Sequence, residues 1–556
     1  MKILLFTLNA KYIHSSLALR SLRANLPEGV DASCEILELT INNRPEDALQ
    51  AIYMRKPDVL GLSCYIWNVR MLLETAGELK KILPQVKIVA GGPEVQYCAE
   101  EILRNYKIDI VVTGEGEEIF AQLVKNGFDP HYVGGVAYLE NGRLYSPPTL
   151  PPELGRIRFA YENIKTLADD NLENRILYYE ASRGCPHTCA YCMSAMAGAV
   201  RRLSLESAFR QLDALTAMKP AQIKFVDRTF NSDKHHASEI WRYLIKNDNS
   251  VTNFHFEVTG WSLGADDLAL LKTARPGLFQ FEIGVQSTNP QTLAEIKRPN
   301  NLKKTYANVR KLLKLRNIHI HLDLIVGLPY EGFRSFRDSF NTVYSLNPHM
   351  LQLGFLKLLK GSSLRACAEK YNITYKSYAP YEALSTAWLT FGDILRLKRI
   401  EDALEVCYNS GRFRGVVRFL AQFYESPFDF YDDMAQRLKF GEGANRSRSR
   451  LVQELYDFGI TICNDAVVLQ NLLRFDLCLN ESPRALPCWL RDDVPTDVKK
   501  KLGVPKGGNI ALEKFSYTVS DWLEGGTLVL RETYILFDYS NRPPVSEGIN
   551  CEYRKL

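Results

Sequence analysis

The 556-residue chain lacks several features that would place it in a special class of protein. It has no apolar stretch long enough to span a membrane, so we expect no membrane among its partners. Internal repeats and long low-complexity tracts are also absent, which argues against a repeat array. Neither sign of charge dominates, because the chain has 69 Lys and Arg and 64 Asp and Glu. The net charge of +5 is spread along the chain. This balance is compatible with an anionic cofactor or nucleic acid but requires neither.

The N-terminus also lacks the parts of a secretory signal. Residues 1–8 are apolar, but no extended charged region precedes them and no small-residue cleavage site follows. We interpret them as a buried first strand. Twelve cysteines without a signal peptide indicate a reducing cytoplasm, where most thiols stay free.

The length predicts two to four domains, and the composition is that of an ordinary globular protein, 46% hydrophobic and 24% charged. We expect an α/β protein with four segments: an α/β domain at 1–130, a linker at 131–174, a barrel at 175–370 and a C-terminal extension at 371–556, mainly α with some β.

Three of the cysteines lie in one short run, Arg183-Gly-Cys-Pro-His-Thr-Cys-Ala-Tyr-Cys192. Thiolates at Cys185, Cys189 and Cys192 can hold three corners of a cubane iron–sulfur cluster and leave the fourth iron open. A zinc site or a structural role is the alternative. Zinc prefers four ligands, and His187 is the only candidate for the fourth.

The first 125 residues alternate between apolar runs and helical patterns. Strands are predicted at 2–8, 33–39, 58–64, 86–90 and 109–113, with helices near 15–25, 46–55, 68–83, 94–105 and 116–125. Five such units predict a doubly wound parallel sheet, whose ligands sit at the carboxyl ends of the strands. Glycine-rich, polar sequences follow those ends, as in Ala90-Gly-Gly-Pro-Glu94 and Thr113-Gly-Glu-Gly-Glu-Glu118.

A second series of strands is predicted after the proline-bearing linker, at 176–182, 222–226, 252–258, 278–285, 318–325 and 350–356. Six strand–helix units predict a partial (β/α)6 barrel with its chemistry at the carboxyl ends of the strands. The cysteine run directly follows the first of these strands. Polar groups follow others, as in Phe225-Val-Asp-Arg-Thr-Phe-Asn231 and His321-Leu-Asp-Leu-Ile-Val-Gly-Leu-Pro329.

Together these motifs, over roughly residues 1–365, resemble the radical S-adenosylmethionine (SAM) enzymes that carry a cobalamin-binding domain ahead of the barrel. The resemblance implies a [4Fe-4S] cluster on the three cysteines that cleaves SAM reductively. It places three groups near the SAM ribose, Glu257, Glu282 and Gln286, and Arg298 at its carboxylate. The same resemblance puts the Tyr191 backbone near the adenine and assigns Asp227, Asn231 and Asp323 to the cofactor pocket.

The resemblance also implies cobalamin at the edge of the N-terminal sheet. Its nucleotide tail would be lined by Ser63, Gly91, Gly92, Pro93, Gly114 and Glu115. The Asp-x-His-x-x-Gly motif that supplies a histidine ligand to cobalt elsewhere is absent. We therefore expect the lower face of cobalt to meet water, nothing, or a side chain such as Asn9, Tyr12 or Tyr65. A degenerate domain that binds no cobalamin is the alternative.

The methylthiotransferases, which act on tRNA, are a rival resemblance, because their N-terminal domain carries three cysteines for a second cluster. Cys34, Cys64 and Cys98 give the same count. Their predicted positions, at a strand start and within a helix, do not favour a shared ligand site.

The expected activity is that of a cobalamin-dependent radical SAM enzyme that methylates an unactivated carbon. Radical cyclisation or rearrangement and a non-catalytic cobalamin or SAM sensor are the alternatives. The resemblance implies a low-potential electron donor such as flavodoxin or ferredoxin and an unidentified small-molecule or peptide substrate. Nucleic acid is not expected.

The last third has no motif of known chemistry. Helices are predicted from 381 to 460 and strand-like sequences at 514–519 and 527–538, and we expect this part to cap the barrel. Basic runs at 412–418 and 446–450 are interpreted as solvated helix faces. No compact ligand spacing is seen among the remaining cysteines, Cys367, Cys407, Cys463, Cys478, Cys488 and Cys551.

Overall fold

The computed structural model describes residues 1–196, 198–441, 446–492, 494–505, 509–523, 525–540 and 550–554. The chain divides into two compact units. The first contains Met1–Ile283, Leu293–Ile318 and Phe355–Ala387, and the second contains Gly284–Thr292, His319–Gly354 and Trp388–Leu556. In the described part of the chain, no helix combines the length and the apolar character needed to cross a bilayer.

The N-terminal sheet has the predicted alternation of strands and helices. Its elements are β1 (Lys2–Asn9), α1 (Leu17–Ala24), β2 (Ser33–Thr40), α2 (Pro45–Arg55), β3 (Val59–Ser63), α3 (Val69–Ile82), β4 (Lys87–Gly91), α4 (Ala99–Asn105), β5 (Ile110–Val112) and α5 (Gly116–Lys125). The strands β1 to β5 are parallel, in the order β2-β1-β3-β4-β5. The strand order therefore reverses between β1 and β3, where such sheets bind ligands.

Two apolar cores cover the two faces of this sheet, because successive side chains of a strand point to opposite sides. Leu4 and Phe6 of β1 belong to one core, and Ile3 and Leu5 belong to the other. This continuous burial explains why the strands read as unbroken apolar runs in the sequence.

The segment 131–174 was predicted to be a linker, but its first part adds two strands to the N-terminal sheet. β6 (Val136–Glu140) pairs antiparallel with β5, and β7 (Arg143–Tyr145) pairs with β6. The turn between them is Asn141-Gly142, with φ of 48° and 78°. Two consecutive positive φ values define a type I′ hairpin, and an Asn-Gly pair is its strongest sequence signal.

The next elements carry the barrel strands. In chain order they are β8 (Leu177–Tyr179), β9 (Ser182–Arg183), β10 (Arg201–Arg202), α6 (Leu205–Ala217), β11 (Gln222–Phe225), α7 (Lys234–Lys246), β12 (Asn253–Glu257), α8 (Ala265–Leu271), β13 (Phe279–Gln286), α9 (Pro290–Glu295), α10 (Leu302–Leu315), β14 (Ile318–Val326), α11 (Phe333–Tyr344) and β15 (Met350–Phe355). The strands β8, β11, β12 and β13 run parallel as neighbours. All six predicted barrel strands are present.

Aromatic side chains fill one side of these strands in the first unit. The ring of Phe225 on β11 lies 4.4 Å from that of Phe256 on β12 and 5.0 Å from that of Tyr179 on β8. Trp241 of α7 packs 5.5 Å from Phe281 of β13. Residues one position away, such as Lys224 and Glu257, point to the opposite side, so alternation leaves polar groups there.

The first unit ends with α12 (Ser363–Ala366), β16 (Thr374–Tyr375) and β17 (Ala383–Ser385). The second unit continues with α13 (Phe391–Leu404), α14 (Arg414–Leu420), α15 (Pro427–Arg437), α16 (Arg448–Cys463), α17 (Ala466–Cys478), α18 (Thr496–Lys501), β18 (Ile510–Tyr517), α19 (Val519–Leu523), β19 (Leu530–Asp538) and β20 (Asn550–Arg554). The strands β18, β19 and β20 form an antiparallel sheet. The mainly helical extension with some β is confirmed; the side chain of Cys551 lies outside the described residues.

Gly92 provides a test of the N-terminal packing. It has φ of 106°, and a Cβ atom there would lie 2.5 Å from the carbonyl oxygen of Cys64. We expect Gly92→Ala to lower the free energy of unfolding by at least about 2 kcal/mol, because strain and a backbone clash add. Urea unfolding measures the change.

Gly77 is the matched control, because it lies within α3 and a Cβ atom there would meet no atom within 4 Å. Gly77→Ala should raise stability by roughly 0.5 to 1 kcal/mol through helix propensity. Equal stability of the two variants would contradict the packing described for Gly92.

Candidate functional site

The cysteine run forms a loop that is closed at its base by a short antiparallel pair. β9 pairs with β10, with Arg183 opposite Arg201. Gly184 begins the loop with φ of 107°, and a Cβ atom there would lie 2.9 Å from the carbonyl oxygen of Ala199. Glycine is therefore required where the chain turns from strand into loop.

The three cysteines are free thiols, with Cys189 buried and Cys185 and Cys192 half-buried. The Nη1 atom of Arg298 lies 3.7 Å from the Sγ atom of Cys189. The Oγ1 atom of Thr229 lies 3.6 Å from the Sγ atom of Cys185. Burial raises the pKa of the Cys189 thiol, and the Arg298 guanidinium opposes that rise. A cation beside the loop suits thiolate ligands.

The donor set fits an iron–sulfur cluster. Among the described residues, no three His, Cys, Asp or Glu side chains converge as ligands of a single metal ion. In a cubane cluster each cysteine binds a different iron, so its thiols surround the cluster instead of meeting at one point. Three free thiols on one loop, next to a guanidinium, match that requirement.

An arginine clamp, formed by Arg183 and Arg201, ties the base of this loop to the start of α5. Arg183 forms ion pairs with Glu115 at 2.7 Å, Glu117 at 2.9 Å and Glu180 at 2.6 Å. Arg201 also pairs with Glu115. Burial alone would lower the pKa of Arg183, but the carboxylates of Glu180 and Glu117 raise it. Glu115, predicted to line the cobalamin tail, is therefore bonded to both arginines.

The crevice between β1 and β3 is held by the side chain of Asn68. Its Nδ2 atom donates to the Oγ1 atom of Thr7 and to the carbonyl oxygens of Leu8 and Ser63, at 3.0 to 3.1 Å. The Trp67 indole donates to the Leu8 carbonyl and stacks on the ring of Tyr65, with centroids 4.6 Å apart. The switch point of the sheet thus presents an aromatic pair.

A cavity of about 730 Å³ in the first unit joins this sheet edge to the barrel strands. Of the predicted cobalamin residues, Asn9, Pro93 and Glu115 line it, and so does the candidate cobalt ligand Tyr65. The barrel strands contribute polar groups to the opposite wall, namely Tyr178, Glu180, Lys224, Arg228 and Glu257. The remaining predicted cobalamin-tail residues, Ser63, Gly91, Gly92 and Gly114, are not among the described lining residues.

The three side chains considered for the lower face of cobalt differ in their surroundings. Asn9 uses its Nδ2 atom to donate to the His14 carbonyl at 2.9 Å and to Glu38 at 3.0 Å. Tyr12 is 63% exposed and lies under the guanidinium of Arg175. Of these three side chains, Asn9 and Tyr65 line the cavity and Tyr12 does not.

The walls of the cavity suit cobalamin, whereas the glycines predicted to line its nucleotide tail are explained by packing within the chain. A polar wall and an aromatic pair meet at the switch point of the sheet, which suits a large ring ligand. The glycines serve the chain itself: a Cβ atom at Gly114 would lie 2.9 Å from Ile119. The residues present therefore fit cobalamin at the strand ends.

Two predicted carboxylates lie side by side on neighbouring parallel strands. Glu257 of β12 and Glu282 of β13 are register partners. Lys224 lies 3.4 Å and His255 3.1 Å from Glu282, whereas Arg228 lies 3.6 Å from Glu257. Sequence reasoning missed these cationic partners, although Lys224 and Arg228 flank the predicted Asp227 on the same strand end.

Asp227 and Asn231 bond to their own chain. Asp227 is buried and accepts hydrogen bonds from the Ala181 amide at 3.0 Å and the Ser182 hydroxyl at 2.5 Å. Asn231 donates to the Thr259 carbonyl and the Ser262 hydroxyl and accepts from the Thr259 amide. Asp227 therefore holds the segment that leads into the cysteine run, and Asn231 holds the segment that follows β12.

The other predicted SAM residues lie in different places. Tyr191, inside the cysteine loop, has its phenol pKa raised by burial, and the nearby Arg298 opposes that rise. Gln286 and Asp323 belong to the second unit. Gln286 has φ of 71°, a strained value for a non-glycine residue, and Asp323 lies 2.9 Å from His321.

The cysteines of the rival interpretation are separated by the sheet. Cys34 packs against one apolar core, whereas Cys64 and Cys98 pack against the core on the opposite face. Lys360 donates to the Sγ atom of Cys98 at 3.1 Å. Three ligands on two faces of a sheet cannot hold one cluster, so these cysteines do not support a second cluster there.

Comparison with known families divides the chain in three. Residues 3–124 match the B12 binding domain, residues 179–343 match the radical SAM superfamily, and residues 369–504 match a protein family of unknown function, DUF4080. These three matches together confirm the expected combination of cobalamin-binding domain, radical SAM domain and uncharacterised extension.

Individual relatives agree over the first two parts. The chain is 26% identical over 340 residues to the cobalamin-dependent radical SAM methyltransferase TokK of Streptomyces tokunonensis, covering 54% of this chain and 47% of TokK. It is 27% identical over 322 residues to the 2-(S-pantetheinyl)-carbapenam-3-carboxylate methyltransferase of Streptantibioticus cattleyicolor, covering 53% and 46%. The chain thus spans about half the length of these curated relatives.

A solved structure extends the likeness in fold. The cobalamin-dependent SAM radical enzyme OxsB, with aqua-cobalamin bound, superposes with a TM-score of 0.61 at 13% identity. The match covers 85% of this chain and 78% of OxsB. The predicted mixed α/β fold is confirmed by this likeness.

Asp227 generates a prediction about pH. Burial raises the pKa of its carboxyl to about 7, although hydrogen bonds from Ser182 and Ala181 oppose the rise. Because the folded-state pKa exceeds the unfolded value of about 3.9, its contribution is fully present below that pH and is lost as pH rises through about 7. Between about pH 5 and about pH 8 we expect a loss of about 2 to 3 kcal/mol, which Asp227→Asn should remove.

Urea unfolding at about pH 5 and about pH 8 measures this difference for parent and variant. Asp266→Asn, at an exposed position on α8, should keep the slope of the parent. An unchanged slope in Asp227→Asn would contradict the assignment of a buried neutral carboxyl.

Proposed function

Because this chain belongs to the radical SAM proteins that carry a B12-binding domain, we propose that it is an enzyme that methylates an unactivated carbon. The observation that carries the proposal is the shared cavity in the first unit. Its walls come from the switch point of the cobalamin-type sheet and from the polar side of the barrel strands. A radical enzyme that uses both cofactors needs both to face one enclosed space.

When bound, the cluster and SAM supply a carbon-centred radical, and cobalamin supplies a methyl group. The residues of this chain bind and orient these groups. Cys185, Cys189 and Cys192 hold the cluster, and Arg298 offsets the thiolate charge beside Cys189. Thr229 lies close enough to Cys185 to fix its rotamer.

The pair Glu257 and Glu282 supports a role as acceptors for the SAM ribose hydroxyls. Two adjacent carboxylates repel each other, and the cations at Lys224 and Arg228 offset that repulsion. Arg228 lines the cavity and is exposed, so it can also pair with an anionic group of a bound molecule. Gln286, Asp323 and Tyr191 are assigned to SAM by the resemblance alone.

Cobalamin is assigned to the crevice between β1 and β3. Asn68 fixes the two strand ends, and the rings of Tyr65 and Trp67 offer an apolar surface to the corrin. Of the three side chains considered for the lower face of cobalt, Asn9 and Tyr65 line the cavity and remain the candidates. Glu115 lines the cavity, as expected for a contact of the nucleotide tail, and is also part of the arginine clamp.

The location and partners are also proposals. We infer a cytoplasmic protein, since the eleven cysteines whose side chains the structure describes are all free thiols. The substrate is a small molecule or peptide, and the extension that begins near residue 371 selects it. A low-potential electron donor is required by the radical SAM chemistry.

The cluster assignment predicts a difference between two triple variants. Cys185, Cys189 and Cys192 changed together to Ala should abolish both cluster iron and the formation of 5′-deoxyadenosine, because no thiolate ligands remain. The matched variant with Ala at Cys34, Cys64 and Cys98 should keep its iron, since those thiols lie on two faces of the sheet. Iron analysis and mass spectrometry measure both.

Product analysis under anaerobic conditions tests the reaction itself. Reconstituted protein receives cobalamin, SAM and dithionite, and mass spectrometry reads the nucleoside products. S-adenosylhomocysteine together with 5′-deoxyadenosine supports methyl transfer. 5′-Deoxyadenosine alone indicates rearrangement, cyclisation or a missing substrate. Neither product from protein with a verified cluster would favour a sensor.

A further inference from the structure

Basic side chains are concentrated in one segment next to the cysteine loop. From residue 297 to residue 316 the chain has eight Lys and Arg and no Asp or Glu. Because the whole chain has a net charge of only +5, the rest is net acidic. The expectation that positive charge is spread along the chain is therefore wrong.

Most of this charge lies on one face of α10. Lys303, Lys304, Arg310, Lys311 and Lys314 are exposed, and their spacing places them on one side of a helix with 3.6 residues per turn. The opposite side, with Thr305, Asn308, Val309 and Leu312, is buried. We call the exposed side, with the preceding Lys297, the basic face.

The basic face is not neutralised by acidic neighbours. In the described part of the chain, none of its lysines and arginines forms an ion pair with Asp or Glu. Glu295, the acidic residue that precedes the segment, is paired with Lys370 at 2.8 Å and also accepts from the Tyr371 hydroxyl. A row of cations without counterions attracts an acidic partner.

One end of the basic face lies against the cysteine loop. The Ala190 amide donates to the Ile296 carbonyl at 2.9 Å, and Arg298 contacts Cys189. A groove of about 380 Å³ is lined by Pro186, His187 and Thr188 of the loop together with residues of the segment, including Lys297. Arg298 lines this groove and also contacts the Sγ atom of Cys189, so the groove lies beside the cysteine loop.

We propose that the basic face is the docking site of an acidic, low-potential electron-carrier protein of the flavodoxin or ferredoxin type. The proposal rests on the proposed function, because only a reducible cluster requires such a carrier. In the docked complex one electron passes from the carrier to the cluster. The carrier is oxidised and the cluster is reduced by one electron, and no bond or proton moves.

The position of the groove favours a carrier over a nucleic acid. Electron transfer slows steeply with distance, so a carrier has to dock where the cysteines approach the surface. Lys297, Lys303 and Lys304 lie at that end, whereas Lys314 is about 17 Å further along the helix axis. A nucleic acid would use the whole length of the face, because each phosphate contact adds a similar amount to affinity.

Two triple variants with the same change of charge separate these cases. The near variant carries Lys297→Glu, Lys303→Glu and Lys304→Glu, and the far variant carries Arg310→Glu, Lys311→Glu and Lys314→Glu. All six positions are exposed, and thermal unfolding verifies that both variants fold. Each reconstituted protein is mixed anaerobically with reduced flavodoxin or reduced ferredoxin. The binding affinity and the rate of carrier oxidation are measured at low and high salt.

We expect the near variant to bind the carrier about tenfold more weakly than the parent does and to oxidise it about tenfold more slowly. Both effects should depend less on salt than they do in the parent. The far variant should change both by about twofold or less. With dithionite, a small reductant that needs no docking site, all three proteins should form 5′-deoxyadenosine at the same rate.

Other outcomes overturn the proposal or its premise. Equal rates for near variant and parent with both carriers would exclude docking at this face. Binding of bulk transfer RNA that both variants lose equally, without a carrier effect, would assign the face to nucleic acid. If dithionite gives no 5′-deoxyadenosine in the parent, the proposed function itself fails.

Discussion

The arginine clamp at the base of the cysteine loop is the interaction on which the site depends. Arg183 and Arg201 stand on the two sides of the loop and share Glu115, and Arg183 also pairs with Glu117 at the start of α5. Half-buried ion pairs of this kind are costly to break, because the remaining partner keeps an uncompensated charge. The clamp therefore fixes the cysteines against the edge of the sheet where cobalamin is assigned.

Alternation along the barrel strands explains why the cavity is polar. On β8, β11 and β12, one set of side chains packs as an aromatic layer, whereas the set one residue away lines the cavity. The aromatic layer makes the strands rigid, and rigid strands hold charged groups in fixed positions despite their repulsion. These rigid strands hold Glu257 and Glu282 next to each other. Lys224 and Arg228, at the neighbouring strand end, offset the repulsion between the two carboxylates.

The sequence was sufficient for the strands, the helices and the cysteine loop, because apolar periodicity and ligand spacing are local properties. It was insufficient where a side chain bonds to a distant partner. The ion pairs of Glu115 with arginines 68 and 86 residues away, for example, could not be predicted. The hairpin at Asn141-Gly142 could have been found from its turn residues. The basic segment was also visible in the sequence, but its position beside the cysteine loop required the fold.

Electron paramagnetic resonance tests most directly whether the two cofactors face one cavity. The protein is loaded with both the one-electron-reduced cluster and cob(II)alamin, which are each paramagnetic. With cobalamin in the cavity of about 730 Å³ and the cluster on the cysteine loop, whose Arg183 and Gly184 line that cavity, the two spins should couple. Each signal should then be split or broadened relative to protein loaded with one cofactor. A spectrum equal to the sum of the two separate spectra would contradict the shared cavity.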